Sequence, residues 1–316
     1  MPEVITLGEA MVVLIAQQTG ALHRVESFTP GIAGAELNVT VGVSRLGHPG
    51  LYVTRLGKDP YGERILDFMK EEGLALEGVL HDEEHLTGSY LKGRVEEGDP
   101  PIFYYRKHSA ASFLDAKDID QISFERAKLL HLTGISPALS PYTKGAVYRA
   151  IERAREHKMI ITFDPNIRRT LWKSEEEMRT VLNDIASRCD VVLPGVSEGL
   201  LLTGASDMEA IADFYLDSGA KLVIIKNGGK GAFYKKKDGS EGAVPGFHVE
   251  RIVDTVGAGD AFASGVICGI LEGKSIEEAI RYGNAMGSII ITSKGDNDIL
   301  PDRKALEAYI LGSCSS

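Results

Sequence analysis

Val253-Asp254-Thr255-Val256-Gly257-Ala258-Gly259-Asp260-Ala261-Phe262 is the stretch on which the reading of this chain turns. The alternating run Phe247 to Val253 ahead of it reads as a strand, and the apolar residues from Ala261 to Leu271 read as a buried helix. The glycines therefore stand at a strand-to-helix junction. Gly257 and Gly259 have no side chain to hold an anion away, and the first N–H groups of a helix lack partners inside it, so such a junction seats a phosphate. Asp260 breaks the pattern. A carboxylate beside an anion site repels the anion, unless its task is to take a proton from the group that attacks that anion. Backbone donors for a phosphoryl group next to a base for an incoming hydroxyl are what a small-molecule kinase requires.

Other glycine motifs fit less well. A dinucleotide fingerprint wants glycine or alanine where Phe262 stands. Between Gly269 and Gly273-Lys274-Ser275 lie three residues, where a P-loop has four. Gly273 reads instead as a helix C-cap.

With 316 residues, 43% hydrophobic and 25% charged, the chain has the composition of a soluble globular protein with a sizeable core. A net charge of −10 argues against nucleic acid or an anionic membrane as partner. No run reaches the roughly 18 apolar residues of a membrane helix. Cys189, Cys268 and Cys314 are scattered and odd in number, and the N-terminus enters a strand at Val4 to Leu7 without a basic or long apolar leader. Both point to a reducing, cytoplasmic setting. His81-Asp82-Glu83-Glu84-His85 has Asp82 where the zinc-protease pattern needs glutamate, so no metal is expected there.

In chain order, Met11 to Ala16 and Leu51 to Leu56 read as strands. A helix runs from the thin turn Gly34-Ala35 through Leu46, and another from Asp59 to Glu72. Asn38 in the first of these helices either caps it or faces a ligand. Gly88 to Val95 and Ile102 to Lys107 alternate around Glu97-Gly98-Asp99-Pro100-Pro101, the pattern of a hairpin with Tyr104, Tyr105 and Arg106 at its tip and Tyr90 on the partner strand. It reads as a lid over a polar substrate, or as an exposed hairpin or subunit interface. Helices are then expected at Phe124 to Lys128, Pro141 to His157, Glu175 to Ser187, Ala210 to Asp217, Ile276 to Ile291 and Asp302 to Leu311. Strands are expected at Leu129 to Leu132, Met159 to Phe163, Val191 to Leu193 and Leu222 to Lys226. Asp164-Pro165-Asn166-Ile167-Arg168-Arg169 crowds polar groups at the carboxyl end of a buried strand, where open α/β sheets bind ligands. Its arginines either bind a carboxylate or phosphate, or pair at the surface. Asn227-Gly228-Gly229-Lys230-Gly231 is a second glycine turn after a buried strand. The sum is one α/β domain over residues 1–316, with a β lid inserted from about 11–30 and 88–108.

These residues resemble the ribokinase-type, or PfkB, family of carbohydrate kinases. Asp254 to Phe262 is similar to its second signature and Gly31 to Asn38 to its first glycine region. Tyr104 to Ser112, Phe163 to Arg168, and Gly295-Asp296 before Pro301 resemble members that act on 2-keto-3-deoxygluconate. The resemblance implies a ribokinase-like fold, a mostly parallel sheet flanked by helices with a small β-sheet lid, and transfer of the ATP γ-phosphoryl to the 6-hydroxyl of that sugar acid. It implies Asp260 as the base, and Gly257, Ala258 and Gly259 as the anion hole. Gly34, Ala35, Asn38, Tyr90, Tyr104, Arg106, Arg168, Asp260 and Asp296 would line the sugar-acid pocket. Asn166, Ser197, Lys226, Gly228, Gly229, Gly231, Gly257 and Gly259 would approach the nucleotide. Mg²⁺ would be held indirectly through Glu198, Asp254 marks a position for a monovalent cation such as K⁺, and a homo-oligomer is expected. One departure stands out: Gly195-Val196-Ser197-Glu198 has glycine where the family's Asn-x-x-Glu motif supplies an amide.

Arg106 with Arg168 would give the substrate carboxylate charge-assisted hydrogen bonds, and a buried arginine left unmatched would disfavour a neutral sugar. The alternatives are a kinase for ketodeoxygalactonate, fructose or ribose, or a sugar-acid sensor that has lost turnover.

Overall fold

The computed structural model describes residues 2–95, 100–293, 295 and 297–313. Its strands are β1 (Val4–Leu7), β2 (Met11–Ala16), β3 (Phe28–Ala33), β4 (Gly50–Gly57), β5 (Val79–Asp82), β6 (Ser89–Lys92), β7 (Ile102–Tyr105), β8 (Leu129–Thr133), β9 (Ile160–Asp164), β10 (Val191–Val192), β11 (Leu222–Lys226), β12 (Ala232–Lys236) and β13 (Glu241–Val244). Nine of them form one sheet in the order β13-β12-β11-β10-β9-β8-β1-β4-β5. From β11 to β5 all neighbours run parallel, and β12 and β13 close the edge antiparallel. The other four make a separate small sheet, β3-β2-β6-β7. This is the fold class expected from the sequence.

A parallel strand buried on both faces must be apolar on both, because helices cover each side. Val4, Leu222 and Ile224 accordingly join one core and Ile5, Val223 and Ile225 the other. The helices Ala35–Arg45, Ala258–Leu271 and Ile276–Ile290 carry much of the first core, and Pro141–Glu156, Glu175–Ser187 and Met208–Ser218 much of the second. Ala258–Leu271 is packed on several sides, which is why it shows no polar stripe. A Cβ on Gly265 would lie 2.6 Å from the backbone of Tyr282 and Gly283, and one on Gly42 would lie 2.5 Å from Ser264 Oγ. Small residues thus let both neighbouring helices close on it, and its N-terminus is held in one place.

Several expectations change. Phe247 to Val253 is not a strand: the N–H groups of Val253 and Asp254 both donate to Ile291 O, at 2.8 and 3.3 Å, and Ile252 is 60% exposed. Its alternation faces no core. Phe124 to Lys128 is a turn rather than a helix; the short helix lies earlier, at Ala116–Asp120, where the Asp115 side chain accepts from Lys117 N and Asp118 N. Phe28–Ala33, unread because of Pro30 and Gly31, is a strand at the rim of the small sheet, where a missing N–H is tolerated. Ala232–Lys236 and Glu241–Val244 form a hairpin around Asp238-Gly239, and Val196–Thr203 is a helix. Tyr104, Tyr105 and Arg106 do not sit at the tip of the β6–β7 hairpin: Tyr105 pairs with Ser89 and Tyr104 with Tyr90, at the end away from the turn. Of the turn itself, residues 96–99 lie outside the described residues.

Candidate active site

Strand ends and one helix start converge on a cavity of about 500 Å³. β1 delivers Glu9, β9 delivers Asp164, Asn166 and Arg168, β11 delivers Lys226, and the helix Ala258–Leu271 delivers Asp260. These are carboxyl ends of alternate strands in the parallel part of the sheet, where loops diverge and leave a crevice. The small sheet covers it from the side with Met11, Tyr90, Lys92 and Tyr104. Tyr90 and Lys92 share a face because side chains alternate along β6.

Asp260 is buried on the first turn of its helix. Its Oδ2 accepts from Asn38 Nδ2 at 2.9 Å and its Oδ1 from Asn166 Nδ2 at 3.3 Å. Burial pushes its carboxyl up to about 7; Asn38 and Arg168 pull the other way, while Asp164 and Glu36 add to the rise. A carboxylate held there by amides rather than by a salt bridge has the basicity of a proton acceptor at neutral pH. Asn38 does not cap its helix, whose N-cap is Gly34; its Oδ1 accepts from Asn297 Nδ2 at 2.9 Å, which turns its Nδ2 toward Asp260. Asn297 in turn sits in a loop whose carbonyls, at Asn297, Asp298 and Leu300, accept from Arg45, itself paired with Glu72 at 2.6 Å. Gly34 adopts φ 152°, and a Cβ there would meet Glu9 O at 2.8 Å. Glycine is thus required by the fold as well as by the cavity.

Gly257 opens the helix in the left-handed conformation, φ 81°, and both it and Gly259 line the cavity. A Cβ on Gly259 would stand 3.5 Å from Lys226 Nζ. The Ala258 N–H is engaged by Thr255 O at 3.3 Å. Lys226 is bonded to Asp164 Oδ2. Burial opposes its charge, but Asp164, Glu198 and Asp260 more than offset that and hold the ammonium. Glu198 accepts from Ile167 N and Gly195 N, both at 2.8 Å. The Gly195 bond is a backbone one that asparagine would make equally, so the side-chain amide of the family's motif has no substitute at position 195. Asp164 and Glu198 line the cavity; each of their oxygens already accepts one hydrogen bond, but a carboxylate oxygen has a further lone pair that a water on Mg²⁺ could use.

Ser197, Gly228 and Gly229 are exposed, outside this cavity. Gly231 is buried, and a Cβ on it would strike Val244 O at 2.0 Å, so its glycine serves backbone packing. Asp296 lies outside the described residues. Asp254 accepts from Lys92 Nζ at 2.5 Å and from Val256 N at 3.1 Å, so both its oxygens are engaged. A lysine ammonium thus already meets the charge that a K⁺ would meet there.

Glu9, Glu36, Lys92 and Asn297 were not singled out from the sequence, and Asp164 only as part of the polar stretch at the end of β9. Glu9 is buried, accepts from Arg106 at 2.5 Å and from Ser109 Oγ, and so supplies the anion that Arg106 was expected to await. Leaving a neutral sugar in the pocket therefore does not leave Arg106 unmatched, and the sequence argument for rejecting neutral sugars fails at this residue. The rule that drew attention to the end of β9, applied equally to β1, would have found Glu9. Glu36 is buried under Thr133 and Ser136, which donate to its Oε1 at 2.6 and 2.8 Å; burial nevertheless raises its carboxyl above the usual range.

The sequence profile described as pfkB family carbohydrate kinase matches residues 1–303. The chain is 44% identical to the 2-dehydro-3-deoxygluconokinase of Bacillus subtilis (strain 168) over 98% of its own length and 95% of that protein's. A putative ribokinase II from E. coli, crystallised with ATP and Mg²⁺, superposes with a TM-score of 0.89 at 27% identity, covering 99% of this chain and all of the other. A fructokinase double mutant from Vibrio cholerae O395, bound to fructose, ADP and a potassium ion, superposes with a TM-score of 0.87 at 27% identity over 98% of each chain. The family match covers almost the whole chain, and the chain belongs to the pfkB family of carbohydrate kinases.

Proposed function

We propose that this chain transfers the γ-phosphoryl group of ATP to the 6-hydroxyl of 2-keto-3-deoxygluconate. The observation that carries the reading is Asp260: a carboxylate poised to titrate near 7, at the foot of the cavity and next to the Gly257 turn. The 44% identity to a 2-dehydro-3-deoxygluconokinase supports the sugar acid as acceptor.

In this reading Asp260 takes the hydroxyl proton as the oxygen attacks, Asn38 and Asn166 hold the carboxylate toward it, and the N–H groups around Gly257 and Gly259 receive the phosphoryl oxygens. Lys226 follows charge onto the leaving phosphates. Magnesium, when bound with ATP, neutralises phosphate charge, and Asp164 and Glu198 would hold it through its water shell. Phosphoryl-transfer transition states are loose, so positioning supplies most of the acceleration and the base on the order of 10²–10⁴ of it. Arg168 makes no ion pair among the described residues and lines the cavity, so recognition of the substrate carboxylate rests chiefly on it.

A second reading, phosphorylation of a neutral hexose such as fructose, is favoured by one observation: Arg106 already has Glu9 as its counter-ion. A coupled ADP-release screen with Mg-ATP over 2-keto-3-deoxygluconate, its galacto epimer, fructose and ribose separates the two. The highest kcat/KM is expected for the gluco sugar acid. A preference for fructose or ribose would reject the proposal in favour of the second reading, and sugar-independent ATP consumption alone would reject both.

A further inference from the structure

We infer that Lys92 is a tethered monovalent cation: its ammonium occupies the Asp254 carboxylate and ties the small sheet to the loop that enters the Gly257 turn, so that turnover by this chain needs no potassium. The inference concerns the kinase site proposed above and uses its reaction for one of two readouts.

The Lys92 Nζ lies 2.5 Å from Asp254 Oδ2, with 7% and 18% of the two side chains exposed. Neither partner is a loose surface group. Lys92 ends β6, where it is paired with Ile15 on one side and Ile102 on the other. The Asp254 N–H is tied to Ile291 O at 3.3 Å, and its Oδ1 accepts from Val256 N at 3.1 Å. Asp254 is followed at once by Thr255, Val256 and Gly257, all of which line the cavity. One ion pair thus spans 162 positions of sequence and joins the covering sheet to the backbone that shapes the anion-binding turn.

An ammonium and a potassium ion answer the same need, one positive charge against one carboxylate. A tethered ammonium, however, is present at an effective concentration in the millimolar range or above, and is already desolvated and aimed. A free ion would have to displace it and pay its own dehydration. Potassium is present in the Vibrio cholerae fructokinase structure; here the carboxylate expected to serve such a cation is already matched by the protein itself.

The test compares KCl with tetramethylammonium chloride at fixed ionic strength, using Mg-ATP and 2-keto-3-deoxygluconate. Wild-type kcat should differ by less than about twofold between the two salts, whereas Lys92→Met should lose roughly tenfold or more in tetramethylammonium and regain most of it in KCl or NH₄Cl. Lys92→Arg should retain salt-independent turnover. The second readout needs no sugar: KCl should raise the thermal midpoint of Lys92→Met and leave that of the wild type unchanged. Strong potassium activation of the wild type, or a potassium-dependent rise in its midpoint, would overturn the inference, as would a Lys92→Met enzyme with unchanged turnover in tetramethylammonium. Should Lys92→Met fail to fold, the wild-type and Lys92→Arg arms still decide. Should no tested sugar be phosphorylated, the substrate reading fails while the thermal arm still judges the cation.

Discussion

Asp260 places two demands on one side chain. It is buried, which favours its neutral form, and the base role proposed for it needs the ionised one. Folding lifts its value from the ordinary carboxylate range to about 7, so the native state binds the proton more tightly than the unfolded chain. Its contribution to stability is therefore present at low pH and is lost as pH rises through that window. Replacing it by a neutral isostere removes this penalty, and Asp260→Asn should be more stable than the wild type at pH 8, by up to roughly 4 kcal/mol in denaturant titrations. The same variant should lose about 10²–10⁴ in kcat while keeping its affinity for ATP in calorimetry. Unchanged turnover would remove Asp260 from the chemistry. Asn297 reaches the base only through Asn38, so Asn297→Ala should let that amide rotate, lowering kcat on the order of tenfold and moving the acidic limb of the pH–rate profile upward. Glu36, Asp164, Arg168 and Lys226 also face Asp260 and set its starting value. A loss of kcat with an unshifted profile would mark Asn297 as merely structural.

At the scale of elements, glycines decide how closely the helices approach. Gly265→Ala would drive a methyl to within 2.6 Å of the Tyr282–Gly283 backbone, where no side chain can rotate away. A loss of about 1–3 kcal/mol is expected in chemical denaturation. The small sheet is built oppositely: its own core is little more than Met11, Val13, Ala33 and Tyr90. Elements with so few buried contacts open readily. Hydrogen exchange in β6 and β7 should slow when sugar acid and a non-hydrolysable ATP analogue bind together; unaltered exchange would argue that the sheet is no lid. Long periodic helices and buried strands were legible in the sequence because packing on both faces leaves an unambiguous apolar pattern. Phe247 to Val253 misled because alternation alone does not reveal whether a partner strand exists. β3 was hidden by Pro30 and Gly31, residues that only an edge position accommodates. Asp238-Gly239 between two alternating runs carries a hairpin signal in the sequence itself.

For the whole molecule, the order of the strands gathers residues that sequence scatters. Asp260, Asn166 and Arg168 were recognisable from motifs, but that Asn38 and Asn166 would each bond an oxygen of Asp260 required the sheet to be folded. Charge balance was the least legible property, since nothing local to Arg106 announces Glu9, which lies 97 positions away. With that pair closed, the acid preference proposed above would fall to Arg168. Arg168→Ala should lower kcat/KM for 2-keto-3-deoxygluconate by roughly 10–100-fold and for a neutral hexose by far less. Equal losses for both would show that the guanidinium serves the phosphates instead. The Asn297–Asn38 contact also has a bearing on biosynthesis. A residue near the start of the polypeptide takes its orientation from one near the end, so a nascent chain cannot complete this contact until almost all of it has been synthesised, and a product that stops short of Asn297 leaves Asn38 without the partner that aims it.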